Sequence, residues 1–175
     1  VFNDATLLFD LDRALPAGSE RSLVSQRAKR VVILVTKEAH CLGDILLRNH
    51  FNTLGATVAA VIGNHEHLRD LCQKFGVPFV LVSHEGISKE SFEEAIDHEL
   101  AKHAPDYIVL AKFMRILSPE FVAKRPMRII NIHHSFLPAF AGASPYRQAY
   151  TRGVKLIGAT AHMVTDDLDE GPIIA

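Results

Sequence analysis

The sequence predicts an α/β fold, a mostly parallel sheet with helices on both faces. Three observations lead there. Strand-like and helix-like stretches alternate from residue 30 to residue 132. The first of them, Val31-Val32-Ile33-Leu34-Val35, is an unbroken apolar run of the kind found in strands buried on both faces. Hydrophobic residues make up 48% of the 175-residue chain and charged residues 22%, enough apolar chain for a sizeable core.

Residues 1–29 stand apart from this pattern. A short apolar group (Leu7, Leu8, Phe9, Leu11) precedes Pro16, Gly18, Ser19, Ser22 and Ser25. They read as the tail of a preceding element plus a linker, with residues 30–175 as the main domain. After the first strand, Thr36 to Gly43 is expected as a polar loop and Ile45 to Leu54 as a helix closed by Gly55. Residues 57–62 form the second strand, residues 66–75 a helix, and residues 79–82 the third strand. Ser88 suits the N-cap of the next helix, whose first turns carry Glu90, Glu93 and Glu94. Tyr107 to Leu110 is the fourth strand, and a short helix follows near Pro119 to Ala123. The fifth strand is expected over 127–132, a helix over 145–152, a strand or ribbon over 155–164, and an apolar stub over 172–175.

Several function classes are disfavoured. The net charge is −1 with neutral histidines, so no basic excess suggests nucleic acid. The cluster Arg27, Lys29 and Arg30 reads as a solvated strand entry. No apolar run approaches the roughly 18 residues of a membrane span, and no signal peptide is visible. Two cysteines, Cys41 and Cys72, make no disulfide framework and suit a reducing cytoplasm. Val1 at the start and Ile173-Ile174-Ala175 at the end suggest a piece of a longer protein.

The chemistry-bearing stretch is Met127 to Pro145, where an apolar strand ends in Asn131, His133, His134 and Ser135. In open α/β sheets ligands bind beyond the carboxyl ends of the strands. Asn131 and His133 lie two apart and leave one face of the strand. With Asp169 from the acidic loop 165–172 they could form a metal-free apparatus for attack on an acyl carbon. Equally, they could satisfy loop backbone groups beside a solvated acidic turn. The first βα loop has Gly43 as its single glycine and contains Glu38, so a nucleotide cradle is not expected. His65-Glu66-His67 and His133-His134 lack partners at metal-ligand spacing, and Ser135 is in no GxSxG elbow. The run Phe113 to Leu117 is either core or the wall of a slot for a flat ligand.

Four segments together, Asn131-Ile132-His133, Ser135-Phe136-Leu137-Pro138, Gly158-Ala159-Thr160-Ala161-His162 and Asp169-Glu170-Gly171-Pro172-Ile173-Ile174, resemble the formyltransferase family that uses 10-formyltetrahydrofolate. Met114-Arg115-Ile116-Leu117 matches its folate-pocket segment. The resemblance covers about residues 30–175 and implies a Rossmann-like formyltransferase fold. It further implies Asn131, His133 and Asp169 as catalytic trio, with Met114, Arg115, Ile116, Leu117, His134, Thr165 and Asp166 around the substrate. No metal, and no cofactor beyond the folate substrate, is implied.

Within the family the likeness points to the deformylase branch. His134 stands where the transferases usually carry Pro, and the loop 36–43 lacks the glycine-rich phosphate cradle of glycinamide ribonucleotide formyltransferase. Residues 1–15 resemble the end of an ACT regulatory domain. The implied reaction is hydrolysis of 10-formyltetrahydrofolate to formate and tetrahydrofolate, by a homo-oligomer. Asn131 and protonated His133 would stabilise the oxyanion, and Asp169 would orient His133 and help take the water proton. Lys37, His40 and His134 are candidates for filling the acceptor side. The alternatives are a formyltransferase acting on glycinamide ribonucleotide or another amine, and a folate-binding or sensing module without turnover.

Overall fold

Strand β1 (Lys29–Val35) is the centre of the sheet, and Val32 to Val35 are fully buried. Its side chains divide by parity, as the two-residue period of a strand requires. Val32 and Leu34 enter one apolar cluster with Ile96, Ile108, Phe121 and Ile129, whereas Val31, Ile33 and Val35 enter another with Leu42, Leu46 and Cys72. Helices therefore cover both faces: α4 (Lys89–His103) and α5 (Pro119–Ala123) one, α2 (His40–His50) and α3 (Arg69–Lys74) the other.

The computed structural model describes residues 4–16, 18–20, 27–142 and 144–175. The remaining strands are β2 (Ala56–Gly63), β3 (Phe79–Leu81), β4 (Tyr107–Ala111), β5 (Ile129–His133) and β6 (Thr160–Met163). Their order is β3-β2-β1-β4-β5-β6. All pairs are parallel except β5 with β6, which sets Asn131 opposite His162 and His133 opposite Thr160. The order reverses between β1 and β4, the switch point where such sheets open a crevice. The expected α/β fold is the one observed.

Helix α1 (Asp4–Ala14) lies in the segment read as the tail of a preceding element, and residues 21–26 of the expected linker lie outside the described residues. The expectation of a polar loop from Thr36 to Gly43 is corrected, because α2 already begins at His40. Ala39 supplies no side-chain cap, so the sequence carried no start signal there. The same helix ends at His50 rather than near Leu54. Asn52 turns the chain at φ 56°, a left-handed conformation that Asn tolerates well. Ser88 caps α4 as expected, accepting from the Ser91 N–H. Strand β5 begins two residues late because Met127 is itself left-handed, at φ 57°. The ribbon expected over 155–164 is a strand only from Thr160, and the apolar stub runs beside it through a bridge from His162 to Ile173.

Candidate active site

Strand β5 ends beside the loop that carries Asp169, and a cavity of about 470 Å³ opens between them at the carboxyl end of the sheet. Asn131, His133 and Asp169 all line it. A smaller cavity of about 220 Å³, at the amino end of β4 among Leu100, Pro105 and Tyr107, contains none of the three.

Hydrogen bonds orient each group. His133 is buried, and its Nε2 lies 3.0 Å from the Phe140 carbonyl. A carbonyl can only accept, so Nε2 carries a proton. The Ser135 hydroxyl donates to the same carbonyl at 2.8 Å, a role in loop bracing. His133 Nδ1 then faces Asp169 Oδ2 at 3.4 Å. Two lone pairs would repel there; a proton between them turns the contact into an ion pair. With both ring nitrogens turned to protein, His133 holds Asp169 in place. Donation from Nε2 to an oxyanion, the role the resemblance implies, would require it to leave Phe140.

His162 is the residue the sequence reading missed. Its Nδ1 lies 3.0 Å from the Met163 carbonyl and so carries the proton. Nε2 is left as acceptor and lies 3.1 Å from Asn131 Nδ2. One amide hydrogen of Asn131 is thereby engaged, and the second is free for a developing oxyanion. Asp169 accepts from the Gly142 N–H at Oδ2, at 3.0 Å, and Oδ1 stands 3.7 Å from His162 Nε2, beyond hydrogen-bond reach. That oxygen could receive a proton from water.

Two backbone features aim Asp169. It adopts φ 60°, which Asp tolerates better than most residues. Gly171 packs so tightly that an added Cβ would lie 1.8 Å from the Met163 oxygen, the atom that orients His162. Gly171→Ala should cost about 1–3 kcal/mol or more of stability. It should also lower activity beyond what unfolding explains; denaturant titration and kcat on the folded fraction check both.

The run after β4 is split by the structure. Phe113 and Leu117 belong to the core, while Met114 and Ile116 are exposed, and all four line the cavity. Thr36 accepts from the Met114 N–H at 3.0 Å. At the other end the buried Glu93 accepts from the Ser118 N–H at 2.7 Å and from its hydroxyl. Glu93, read from the sequence as a helix-dipole acid, thus clamps this wall. Arg115, His134, Thr165 and Asp166 also line the cavity. Lys37 and His40, offered as fillers of the acceptor side, are exposed and are not among the lining residues. The buried Lys112, by contrast, does line the cavity.

His134 packs its ring 5.1 Å from that of Tyr146. Burial first, then the positive charges of Lys112 and His133, hold its imidazole below the ordinary 6.5, against the opposing pull of Glu38 and Asp169. As pH falls below 6.5 the unfolded chain takes up this proton first, so acid destabilises the fold through His134. Histidine NMR should place its midpoint below 6.5, and Lys112→Met should move it upward.

Among the described residues, no group of three or more His, Cys, Asp or Glu could hold a metal ion. Among them, too, no helix is long and apolar enough to cross a membrane.

The family model described as formyl transferase matches residues 29–175. Formyltetrahydrofolate deformylase of Escherichia coli K12 is 60% identical over 174 residues, 99% of this chain and 62% of that protein. The Haemophilus influenzae protein of the same name is 58% identical, over 99% of this chain and 63% of its own length. The chain thus spans about three-fifths of the length of these curated relatives. The crystal structure of a formyltetrahydrofolate deformylase from Pseudomonas syringae pv. tomato superposes with a TM-score of 0.81 at 45% identity, covering 85% of this chain and 50% of that one. Glycinamide ribonucleotide transformylase 1 from Symbiobacterium toebii gives 0.81 at 31% identity, over 91% and 76%. By the family model and by relatives of this identity, the chain belongs to the formyl transferase family.

Proposed function

We propose that this chain is the catalytic part of an enzyme that hydrolyses 10-formyltetrahydrofolate to formate and tetrahydrofolate. The observation that carries the reading is the convergence of Asn131, His133 and Asp169 in one cavity whose wall is the clamped segment 113–117. The names of the relatives, deformylases at 58–61% identity, favour water over an amine as acceptor.

In this reading the pterin lies against Met114, Arg115, Ile116 and Leu117, with Thr165 and Asp166 opposite, and His134 borders the formyl group. Water attacks the formyl carbon and gives its proton to Asp169 Oδ1. Asn131 Nδ2 donates its free hydrogen to the oxyanion, and the His133 charge steadies it. The new C–O bond stays, the C–N10 bond breaks, and N10 takes the proton Asp169 received. Formate leaves as its acid and ionises. No cofactor beyond the folate enters these steps.

Residues 1–29 are proposed as the end of an ACT-type regulatory domain plus its linker, on the resemblance of residues 1–15; helix α1 is compatible with such a tail. A homo-oligomer in the cytoplasm, supplying formate for purine biosynthesis, completes the proposal. The free thiols Cys41 and Cys72 suit that compartment, and burial pushes Cys72 up to about 11, away from thiolate chemistry.

The test is to incubate the full-length protein with 10-formyltetrahydrofolate, with and without glycinamide ribonucleotide. Formate in the absence of amine supports hydrolysis. Product only with the amine supports a transferase, and neither product with folate bound supports a binding module.

A further inference from the structure

Lys112 combines three features that a solvated lysine lacks. It sits at the carboxyl end of β4 at φ 57°, a left-handed conformation that side chains other than Gly, Asn and Asp seldom adopt. It is 8% exposed, whereas lysine is almost never buried without cause. Its ammonium lies 3.6 Å from Glu38 Oε2, and Glu38 belongs to the loop after β1. The pair therefore reaches from the end of β4 to the end of β1, across the switch point of the sheet. A second ligand would be expected to enter there.

The surroundings locate the ammonium further. Its charge is felt by His134 on one side and by Cys41 on the other. The side chain lines the same cavity as Asn131, His133 and His134. His40 Nδ1 lies 3.6 Å from the same Glu38 oxygen.

We infer that Lys112, tethered by Glu38, determines the acceptor: its side chain fills the path by which an amine would reach the formyl carbon and leaves room for water alone. The inference rests on the hydrolase reading above. A buried, conformationally costly residue at a crevice is expected where function outweighs local preference. The filled volume, rather than the charge, is what excludes the amine, and Lys112→Met separates the two.

The test uses the full-length protein with 10-formyltetrahydrofolate and either glycinamide or glycinamide ribonucleotide, scoring formate and N-formylated amine together. Wild type should give formate alone with either amine. Lys112→Gly opens the path and suits the left-handed backbone. Its ratio of formylated amine to formate should rise about tenfold or more over wild type. Lys112→Asn, shorter and also at ease in that conformation, carries the same expectation should the glycine variant fail to fold. Lys112→Met keeps the bulk without the charge and should remain hydrolytic. Transfer by Lys112→Met equal to that by Lys112→Gly would overturn the inference in favour of charge exclusion. Folded Lys112→Gly and Lys112→Asn that form no formylated amine would overturn it altogether. If wild type itself released no formate without amine, the hydrolase reading would fail and this inference with it.

Discussion

Asp169→Asn should lower kcat for the proposed formate release by about 10²–10⁴-fold, the range of a lost general base, with folate affinity nearly unchanged. Asparagine suits the left-handed conformation at this position, φ 60°, and its carbonyl oxygen can still accept from the Gly142 N–H at 3.0 Å. The loop should therefore keep its place. What disappears is the oxygen proposed to take a proton from water and the carboxylate 3.4 Å from His133 Nδ1. The split between kcat and affinity separates this from mere distortion, because a displaced loop would also weaken binding at Thr165 and Asp166 on the cavity wall. Equilibrium binding of a non-hydrolysable folate analogue, alongside single-turnover formate release, reads both quantities. Wild-type turnover in Asp169→Asn would remove Asp169 from the mechanism.

Asn131→Ala should cost about 10²–10³ in kcat, the range for one oxyanion donor, with a smaller change in KM. The amide is committed on one hydrogen to His162 Nε2 at 3.1 Å and free on the other, so alanine removes the group aimed at the oxyanion. The fold should survive, because Asn131 pairs through its backbone with β4 and β6. An effect on KM alone would instead make Asn131 a ground-state binding group.

The fold was legible where burial wrote it into residue type. The apolar runs of β1, β4 and β5 and the Ser88 cap are local signals, and each marks an observed element. The start of α2 was not legible, since neither Ala39 nor His40 carries a capping signal. Asn131 and His133 were recognisable as polar residues ending an apolar strand. His162 stood in a family-like segment without a role, because its place opposite Asn131 comes from the antiparallel register of β5 and β6, and its role depends on which nitrogen Met163 engages. Lys112 was hidden for another reason. In the sequence it is an ordinary lysine after a strand; its left-handed backbone and burial exist only once β1 and β4 lie side by side. The segment 113–117 divides similarly, since Phe113 and Leu117 turn into the core while Met114 and Ile116 stay exposed.

The central claim is that water, and no amine, attacks the formyl carbon held by Asn131, His133 and Asp169. Turnover of 10-formyltetrahydrofolate by the full-length protein in isotopically labelled water, with no amine present, tests it most directly. Formate carrying one labelled oxygen, lost together with activity in Asp169→Asn, is the predicted result. Folate that stays formylated until an amine is added would contradict it.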